Sequence, residues 1–411
     1  MREMKDSGTV WLGTIPANWD IARIGSFYRL RNTKVSDTDY PPLSVTNKGV
    51  VPQLETAAKT NAHDDRKLVK KGDFAINSRS DRRGSCGIAP CDGSVSLINT
   101  ILSPMGEMNP RYYDWLFHTI EFGDEFYKCG HGIVDDLWTT GWQDMKKILI
   151  PYPSLAEQEK IANFLDSQCS QIDAISADIQ KEIEILEQYK RSVITEAVTK
   201  GLNPDVEMKD SGVPWIGKMP ANWTCIKGKY ILKYMQKPVK TDDGVITCFR
   251  DGEVTLRSNR REDGFTMADK EIGYQGIDVG DLVVHGMDGF AGAIGISDSR
   301  GKASPVLNVL DSRQNKKYIM YYLRSMAYGD VFAALATGIR VRSCDLRWNK
   351  LSVLLYPVPP LEEQAEIVQY IEDTLNKVNG VISEKKQQLT VIDSYKKSLI
   401  YEHVTGKKEA L

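Results

Sequence analysis

Cysteine is scarce in this chain and is never closely paired. There are seven cysteines among 411 residues, and no two of them form a CxxC pair. An odd number of scattered thiols argues against a disulfide framework and against a zinc knuckle. We therefore expect reduced thiols and no metal site. The cysteines are Cys86, Cys91, Cys129, Cys169, Cys225, Cys248 and Cys344.

Long apolar runs are also missing. No stretch approaches the ~18 consecutive apolar residues of a membrane helix, and no basic leader with an apolar core opens the sequence. We expect a cytoplasmic protein that does not contact a membrane. The hydrophobic fraction of 41% is that of an ordinary globular protein. The length allows about two to four domains.

Catalytic motifs are absent as well. Asn109-Pro110-Arg111-Tyr112 approaches the base-gripping loop of adenine methyltransferases, but Arg replaces its second Pro and no Gly-rich loop precedes it. We interpret this segment as a helix start. Gly301-Lys302-Ala303 lacks the spacing and the Ser or Thr of a phosphate-binding loop. The five histidines have no nearby Ser or Cys partner, so the sequence predicts no catalytic residue.

Net charge is low for a nucleic-acid-binding protein, but it is unevenly distributed. The formal charge of the whole chain is −2. Residues 225–355 contain 20 Lys and Arg against 15 Asp and Glu, whereas residues 20–150 contain 17 of each. The acidic excess lies in 154–200 and 360–405. The basic part of the second half favours an anionic partner.

A helical stretch from Ser154 to Lys200 organises the chain. Ser154 and Glu157 form a capping box, no Gly or Pro interrupts the stretch, and Gly201 ends it. At ~1.5 Å per residue such a helix would be ~65 to 70 Å long. Its heptad spacing predicts a coiled coil. The predicted seam is Leu165, Ile172, Ile179, Leu186 and Val193, with a companion row of Ile161, Ile175 and Tyr189.

The helical stretch occurs twice. Adding 206 to each position leads from PYPSLAEQEKIANFLD (151–166) to PVPPLEEQAEIVQYIE (357–372). The opening MKDSGTVWLGTIPANW (4–19) likewise returns as MKDSGVPWIGKMPANW (208–223). The chain is therefore a tandem of two halves, each a globular part followed by a long helix. The second seam is Ile367, Ile371, Val378, Val381, Ile392 and Leu399.

Charged residues in the middle of both helices predict their register. Glu182 lies on the first companion row, and Lys385 takes the seam position that Ile179 has in the first helix. Polar seam residues fix register and orientation in coiled coils. In an antiparallel pair where residue i faces about 567 − i, Glu182 lies opposite Lys385. The alternative is a hydrated middle of the coil, with both charges in solvent.

The globular parts have an α+β pattern with the same order of motifs. Short β-type runs in the first half (42–46, 73–77, 95–102 and 147–150) combine with a helical stretch over 112–127. GDFAIN (72–77) matches GDLVVH (280–285), although the polar loops between such motifs do not align. We predict globular parts at 1–153 and 201–359, and long helices at 154–200 and 360–411.

Clusters of Arg and Asn are the candidates for reading DNA bases. Arg can bind guanine through two hydrogen bonds, Asn can do so with adenine, and further cations hold phosphates. Solvated surface loops are the alternative interpretation. The candidates are Asn77, Arg79, Arg82, Arg83, Arg250, Arg257, Asn259, Arg260, Arg261, Arg340 and Arg342.

The duplicated motifs resemble one known family. KDSG-x-x-W-x-G-x-x-P-x-x-W at 5–19 and 209–223, with P-x-P-x-L-x-E-Q-x-x-I at 151–161 and 357–367, is similar to the specificity subunit of type I restriction-modification enzymes. The similarity covers essentially the whole chain. It implies two pseudo-symmetric target recognition domains separated by two long antiparallel coiled-coil helices. Each domain would read half of a split site in double-stranded DNA.

The resemblance also implies partners. Methyltransferase subunits and restriction or translocase subunits would assemble on the helices and would carry S-adenosylmethionine, ATP and Mg, so that no cofactor is expected on this chain. The alternative is a tandem coiled-coil scaffold that binds protein partners without reading DNA. The candidate docking residues are Leu155, Gln158, Ile161, Tyr189, Leu361, Gln364, Ile367 and Tyr395.

Overall fold

The chain folds into two compact units, and each is considered by itself below. The computed structural model describes residues 2–54, 63–79, 82–132, 138–260, 271–335 and 346–410. Unit 1 comprises Met1–Ile179 and Lys386–Leu411, and unit 2 comprises Gln180–Lys385. Because the unit boundaries fall inside the two long helices, each helix contributes to both units.

Unit 1 contains mostly short antiparallel strands. Its strands are β1 (Met4–Asp6), β2 (Thr14–Pro16), β3 (Asp20–Arg23), β4 (Tyr28–Arg31), β5 (Lys34–Val35), β6 (Leu43–Thr46), β7 (Gly49–Pro52), β8 (Arg66–Val69), β9 (Phe74–Asn77), β10 (Cys86–Ile88), β11 (Gly93–Ser96), β12 (Asn99–Pro104) and β13 (Leu149–Tyr152). Its helices are α1 (Pro110–Phe117), α2 (Ile120–Lys128), α3 (Trp142–Met145) and the first part of α4 (Leu155–Lys200).

A four-stranded antiparallel sheet in the order β10-β9-β12-β4 forms the centre of unit 1. Successive residues of a strand point to opposite faces of the sheet. Each face of this sheet packs against a hydrophobic core of its own. Phe74 and Ile76 of β9 enter the main core with the aromatic rings of α1 and α2. Ala75, between them, enters a smaller core beneath the hairpin β6–β7.

Unit 2 repeats this plan in its own sequence. Its strands are β14 (Met208–Asp210), β15 (Lys218–Pro220), β16 (Thr224–Lys227), β17 (Leu232–Met235), β18 (Ile246–Cys248), β19 (Val254–Leu256), β20 (Gln275–Ile277), β21 (Leu282–His285), β22 (Ile294–Ile296), β23 (Gly301–Ala303), β24 (Leu307–Ser312) and β25 (Leu355–Val358). Its helices are α5 (Gly228–Ile231), α6 (Lys316–Tyr328), α7 (Val331–Ala334), α8 (Trp348–Leu351), the second part of α4 and the first part of α9 (Leu361–Val404). The second part of α9 belongs to unit 1.

The central sheet of unit 2 has the order β22-β21-β24-β17, which matches the sheet of unit 1 strand for strand. Leu282 and Val284 face the main core of the unit, and Val283 faces a smaller core under the hairpin β18–β19. The predicted repetition of the α+β scaffold is therefore confirmed.

Two local predictions need correction. The β-type run 95–102 is the end of β11 and the start of β12, separated by a turn at residues 97–98, and the two strands belong to different sheets, since β11 pairs with β8 and β12 pairs with β9 and β4. The helical stretch 112–127 is two helices, because Thr119 caps the second one by accepting a hydrogen bond from the Phe122 amide at 3.3 Å. Asn109 caps α1 as expected for a helix start, with Pro110 in its first turn.

The first turns of the long helices α4 and α9 make equivalent contacts with a buried tryptophan. Trp19 donates its indole N–H to Glu157 Oε2 at 2.8 Å, and Trp223 donates to Glu363 Oε1 at 3.0 Å. Ser154 caps α4 by accepting from the Glu157 amide at 3.3 Å. The Glu157 carboxylate does not complete a capping box, since it binds the N–H of Trp19, a side chain that is 0% exposed and needs an internal acceptor.

The helices also end on equivalent contacts. Tyr318 donates its hydroxyl to Val198 O in unit 2, and Tyr112 donates to Val404 O in unit 1. Gly201 and Gly406 then terminate the helices with φ of +74° and +71°, a conformation that suits glycine. In unit 1, Tyr401 near the end of α9 also donates to Trp11 O, at 2.8 Å.

The predicted seam of α4 is correct in its main row and at Ile161 of its companion row, which is buried, but wrong at the other two companion positions. Leu165, Ile172 and Val193 are buried, and Ile179 and Leu186 are half-buried. However, Ile175 and Tyr189 are 52% and 48% exposed. The second buried row lies four residues after the main one, rather than three. It consists of Cys169, Ser176, Ile183 and Lys190. In the second seam Val381 is 41% exposed, and Ile382 takes the buried place.

Side-chain pairs within each unit confirm the antiparallel register. In unit 1, Phe164 stacks on His403 with ring centroids 4.6 Å apart, and Lys396 donates to Asp173. In unit 2, Lys385 donates to Glu182, which is the predicted pair. The Glu182 side chain is nevertheless 54% exposed, so this ion pair lies at the edge of the seam.

Candidate nucleic-acid interface

The four candidate residues of the first half lie together around one concavity of unit 1. This first cavity has a volume of about 760 Å³ and lies between the hairpin β6–β7 and the end of β9. Its lining includes Leu43, Thr46, Gln53, Arg66, Asn77, Arg79, Arg82, Arg83 and Asn99. Asn77 ends β9, and the three arginines follow it in the connection to β10. The Asn77 amide donates to Ser85 O at 2.9 Å and so brings the two ends of this connection together.

Asn77 lies deep in the first cavity, at 6% exposure. Its Oδ1 accepts a hydrogen bond from the Arg79 amide at 3.0 Å, which fixes the side chain at the strand end. Its Nδ2 has no hydrogen-bond partner within the described ranges. An amide donor is therefore left for a ligand.

Cations surround the mouth of the first cavity. Arg79 and Arg83 are exposed. Arg83 donates to Asp124 at 2.7 Å and stacks over the Tyr127 ring, with 5.2 Å from its guanidinium carbon to the ring centre. Ion pairs between exposed groups are weak, about 0 to 1 kcal/mol, so such a pair can exchange for a phosphate.

The second cavity occupies the matching place in unit 2, between the hairpin β18–β19 and the end of β21. Its volume is about 780 Å³. It gathers three of the predicted arginines, and Asp251 and Asp288 partly offset their charge. Its lining includes Thr247, Phe249, Arg250, Asp251, Arg257, Arg260, His285, Met287, Asp288 and Ser304.

The arginines of the second cavity are held by neighbours. Arg250 donates to Asp288 at 2.9 Å, and Arg257 donates to Thr247 Oγ1 at 3.1 Å. Arg260 stacks over Phe249 at 4.1 Å from the ring centre and pairs with Asp251 at 2.7 Å. The hydrogen bond that Arg260 donates to the Asp251 carboxylate raises the pKa of the guanidinium. These contacts orient planar guanidinium groups at the cavity wall.

The remaining predicted residues do not join the cavities. Asn259 donates its amide to Thr255 Oγ1 at 2.9 Å and is not part of the lining of the second cavity. Arg261, Arg340 and Arg342 lie outside the described residues. Their predicted role stays a prediction.

Sequence reasoning missed two cavity residues. Arg66 is buried in the wall of the first cavity, where its Nε donates to Ser94 Oγ at 2.8 Å, and burial lowers the pKa of its guanidinium. His285 ends β21 in the second cavity, and burial likewise lowers its pKa. A signal for His285 was available, because GDLVVH aligns it with Asn77 of GDFAIN.

Half of the predicted docking residues are enclosed within their own unit. Gln158 and Gln364 are 0% exposed, and Ile161 and Ile367 lie in the main cores. Gln158 Oε1 accepts from the Asn109 amide at 2.9 Å, and its Nε2 donates to Pro153 O at 2.8 Å. These four residues join helix to globular part, so their assignment to a partner surface is corrected.

The other predicted docking residues are accessible. Leu155 and Tyr395 are exposed on unit 1, and Tyr189 and Leu361 are exposed on unit 2. Each unit thus shows a leucine from one helix start and a tyrosine from the other helix. This repetition follows directly from the duplicated sequence.

No group of three or more His, Cys, Asp or Glu side chains in the described part of the chain could hold a metal ion. No helix among the described residues is both long and apolar enough to cross a membrane.

Known proteins resemble the chain in sequence. No family model matches it. The type I restriction enzyme MjaVIII specificity subunit of Methanocaldococcus jannaschii is 24% identical over 429 residues, covering 96% of this chain and 93% of the relative.

Two solved structures resemble it in fold. A chain from a structure concerning complex assembly and conformational transition of the type I R-M system has a TM-score of 0.70 at 13% identity, covering 96% of this chain and 99% of the other. The HsdS subunit of Thermoanaerobacter tengcongensis has a TM-score of 0.51 at 14% identity, with coverage of 96% and 98%. In sequence the chain is thus similar to a type I restriction enzyme specificity subunit at 24% identity, and in fold it is similar to these two solved structures.

Proposed function

We propose that this chain recognises a bipartite site in double-stranded DNA and holds the methyltransferase and restriction subunits of a type I restriction-modification complex. The observation that carries this proposal is the repetition of an arginine-lined cavity at the same place in both units. One cavity would read each half of the site. The chain itself performs no catalysis.

The chemistry of the cavities suits DNA. Exposed arginines at the mouth can hold phosphates, and polar groups deeper in the wall can hydrogen-bond base edges. The arginines belong to hairpins and strand ends of a packed sheet, which position their side chains. The differing polar residues of the two cavities are suited to two different half-sites.

The long helices provide the assembly surface in this proposal. Tyr189 and Tyr395 are exposed apolar side chains at equivalent places, as are Leu155 and Leu361. Repeated apolar residues of this kind favour two copies of the same partner, one per unit. S-adenosylmethionine, ATP and Mg would act on the partner subunits.

The test is to assemble the chain with its methyltransferase subunit and to sequence the modified adenines in plasmid DNA. We expect one bipartite motif with a fixed gap, and no methyl transfer by the purified chain alone. Methylation without sequence preference would contradict the proposal, as would transfer by the isolated chain.

A protein scaffold without DNA readout predicts a different result. Phosphate contacts make DNA binding fall steeply with salt, because bound counterions are released. We expect the complex to bind a duplex that contains its motif far more tightly at about 50 mM salt than at about 200 mM salt. Binding that is weak and insensitive to salt would favour the scaffold.

A further inference from the structure

Asn77 and His285 are equivalent residues with the same geometry. Each is the last residue of the central strand in its unit, β9 or β21, and each lines its cavity. In both, one side-chain acceptor receives the backbone amide two residues later. Asn77 Oδ1 accepts from Arg79, and His285 Nδ1 accepts from Met287 at 3.2 Å.

The contacts of His285 fix its tautomer. Nδ1 accepts a second backbone amide, that of Asp288, at 2.9 Å. Two N–H groups that point at Nδ1 exclude a proton there, so the ring proton is on Nε2. Burial lowers the pKa of the ring, which also favours the neutral form. His285 therefore offers its cavity a single N–H donor.

Asn77 offers a donor from the same place. Because the Arg79 amide binds Oδ1, the orientation of the side-chain amide is fixed and Nδ2 is directed away from the turn. Within the described ranges Nδ2 has no hydrogen-bond partner, although the residue is 6% exposed. Nδ2 is not one of the buried side-chain atoms that lack a partner in the described part of the chain, so this donor is accessible from the cavity and a ligand can reach it.

We propose that Asn77 and His285 are paired base-reading residues, each donating one hydrogen bond from the end of its central strand to an acceptor atom on a base edge. This inference rests on the proposed function. It assigns a role to His285 and a common mechanism to both half-sites.

The donor character limits which bases each residue accepts. In the major groove, guanine presents N7 and O6, adenine presents N7, and thymine presents O4 as acceptors. Cytosine presents the N4 amino group, which is a donor and meets the N–H unfavourably. His285, whose only ring acceptor is occupied, discriminates against cytosine most strongly.

Burial distinguishes these two N–H donors from side chains that bind phosphates. Both are neutral and lie further in than the exposed cations, such as Arg83 in unit 1 and Arg250 in unit 2. Phosphates are better held by the cations at the mouth. The neutral donor is thus left for the base.

The test compares Asn and Asp at each of the two positions, because these side chains differ only in one terminal donor or acceptor atom. Asn77→Asp keeps the acceptor for the Arg79 amide but replaces the donor with an acceptor. His285→Asn places the side chain of Asn77 at the equivalent position of unit 2. His285→Asp has the same shape but offers an acceptor in place of the donor. The full chain, assembled with its methyltransferase subunit, modifies a plasmid library with randomised half-sites, and the motif is obtained by sequencing modified adenines.

We expect Asn77→Asp to change the preferred base at one position of the first half-site, by about tenfold, toward cytosine or adenine. His285→Asp should do the same in the second half-site, whereas His285→Asn should keep a base with an acceptor. Arg83→Gln should lower methylation of all sequences equally. If thermal melting shows that one Asp variant does not fold, the other decides.

Unchanged motifs in the folded Asp variants would overturn the inference. A uniform loss over all bases would do so too, because it would assign both residues to the phosphates or to the fold alone. These failures presuppose a bipartite wild-type motif. If the wild-type complex shows no sequence preference, the proposed function itself is wrong.

Discussion

Replacing Gln158 with Glu should make the stability of unit 1 strongly dependent on pH. Gln158 is 0% exposed, accepts from the Asn109 amide and donates to Pro153 O. Glutamate has nearly the same shape and keeps the first contact. Its second oxygen faces the Pro153 carbonyl, so the contact survives only if the carboxyl is protonated. The folded state must therefore bind a proton at this site.

The magnitude follows from proton linkage. An unfolded Glu has a pKa of about 4.3, and deeply buried Glu residues reach about 8 to 9. Because the folded pKa is raised, the variant matches the wild type below about pH 4.3 and loses stability as the pH rises toward the folded pKa. The loss is about 1.4 kcal/mol per pH unit, so that it reaches about 3 to 4 kcal/mol at pH 7.

Urea unfolding followed by tryptophan fluorescence at several pH values between 4.5 and 8 would measure this. Each point is compared with the wild type at the same pH. Gln388→Glu, at an exposed position of α9, is the matched control and should show no slope. A flat difference for Gln158→Glu would refute the buried hydrogen bonds. Unchanged stability with loss of partner binding would instead restore Gln158 as a docking residue.

Three further predictions concern the long helices and the two globular parts that act as readers, each binding one half of the DNA site in the proposed function. Gly406→Ala should cost more than Gly8→Ala, since both have φ of +71° but only at Gly406 would the new methyl lie 2.5 Å from a neighbouring proline carbon. We expect about 1 to 2 kcal/mol for the backbone alone and about 1 to 3 more for the overlap, measured by urea unfolding, and equal losses would contradict the crowding. Glu182→Lys and Lys385→Glu should show a coupling of about 0.2 to 1 kcal/mol in a double-mutant cycle that shrinks with salt, because the pair is partly exposed, and additive losses would remove the pairing. Exchanging residues 20–150 for those of a relative should alter one half of the methylated motif, and a change in both halves would refute independent readers.

The long helices were predictable because their signal is redundant. Heptad spacing over many turns, without Pro in either helix and with Gly380 of α9 as the one glycine, leaves few other structures for such segments. The second buried row was not predictable. Apolar residues flank the main row on both sides, as Ile175 and Ile183 do, and only the partner helix decides which of them is buried.

The candidate site was predictable as a composition but not as a geometry. Arginine clusters indicated the two cavities, since exposed charges in loops have few structural reasons to cluster. Gln158 was misassigned because its partner Asn109 is 49 residues away in sequence. His285 lies in no arginine cluster, and its one signal in the sequence is the alignment of GDLVVH with GDFAIN, which places it at the position of Asn77.

The ends of the chain suggest how such a molecule could arise from a shorter gene. The hairpin β1–β2 is followed by Trp19, against which Gly406 packs after α9, and β14–β15 is followed by Trp223, against which Gly201 packs after α4. A half-length chain of about 206 residues would thus contain both contact surfaces, the hairpin with its tryptophan and the helix end that packs against it. Under the proposed function, two copies of such a chain would present two identical DNA-reading domains, and their site would be palindromic. Duplication and fusion would release the two readers to diverge, so that an asymmetric target becomes available without any change in how the parts join.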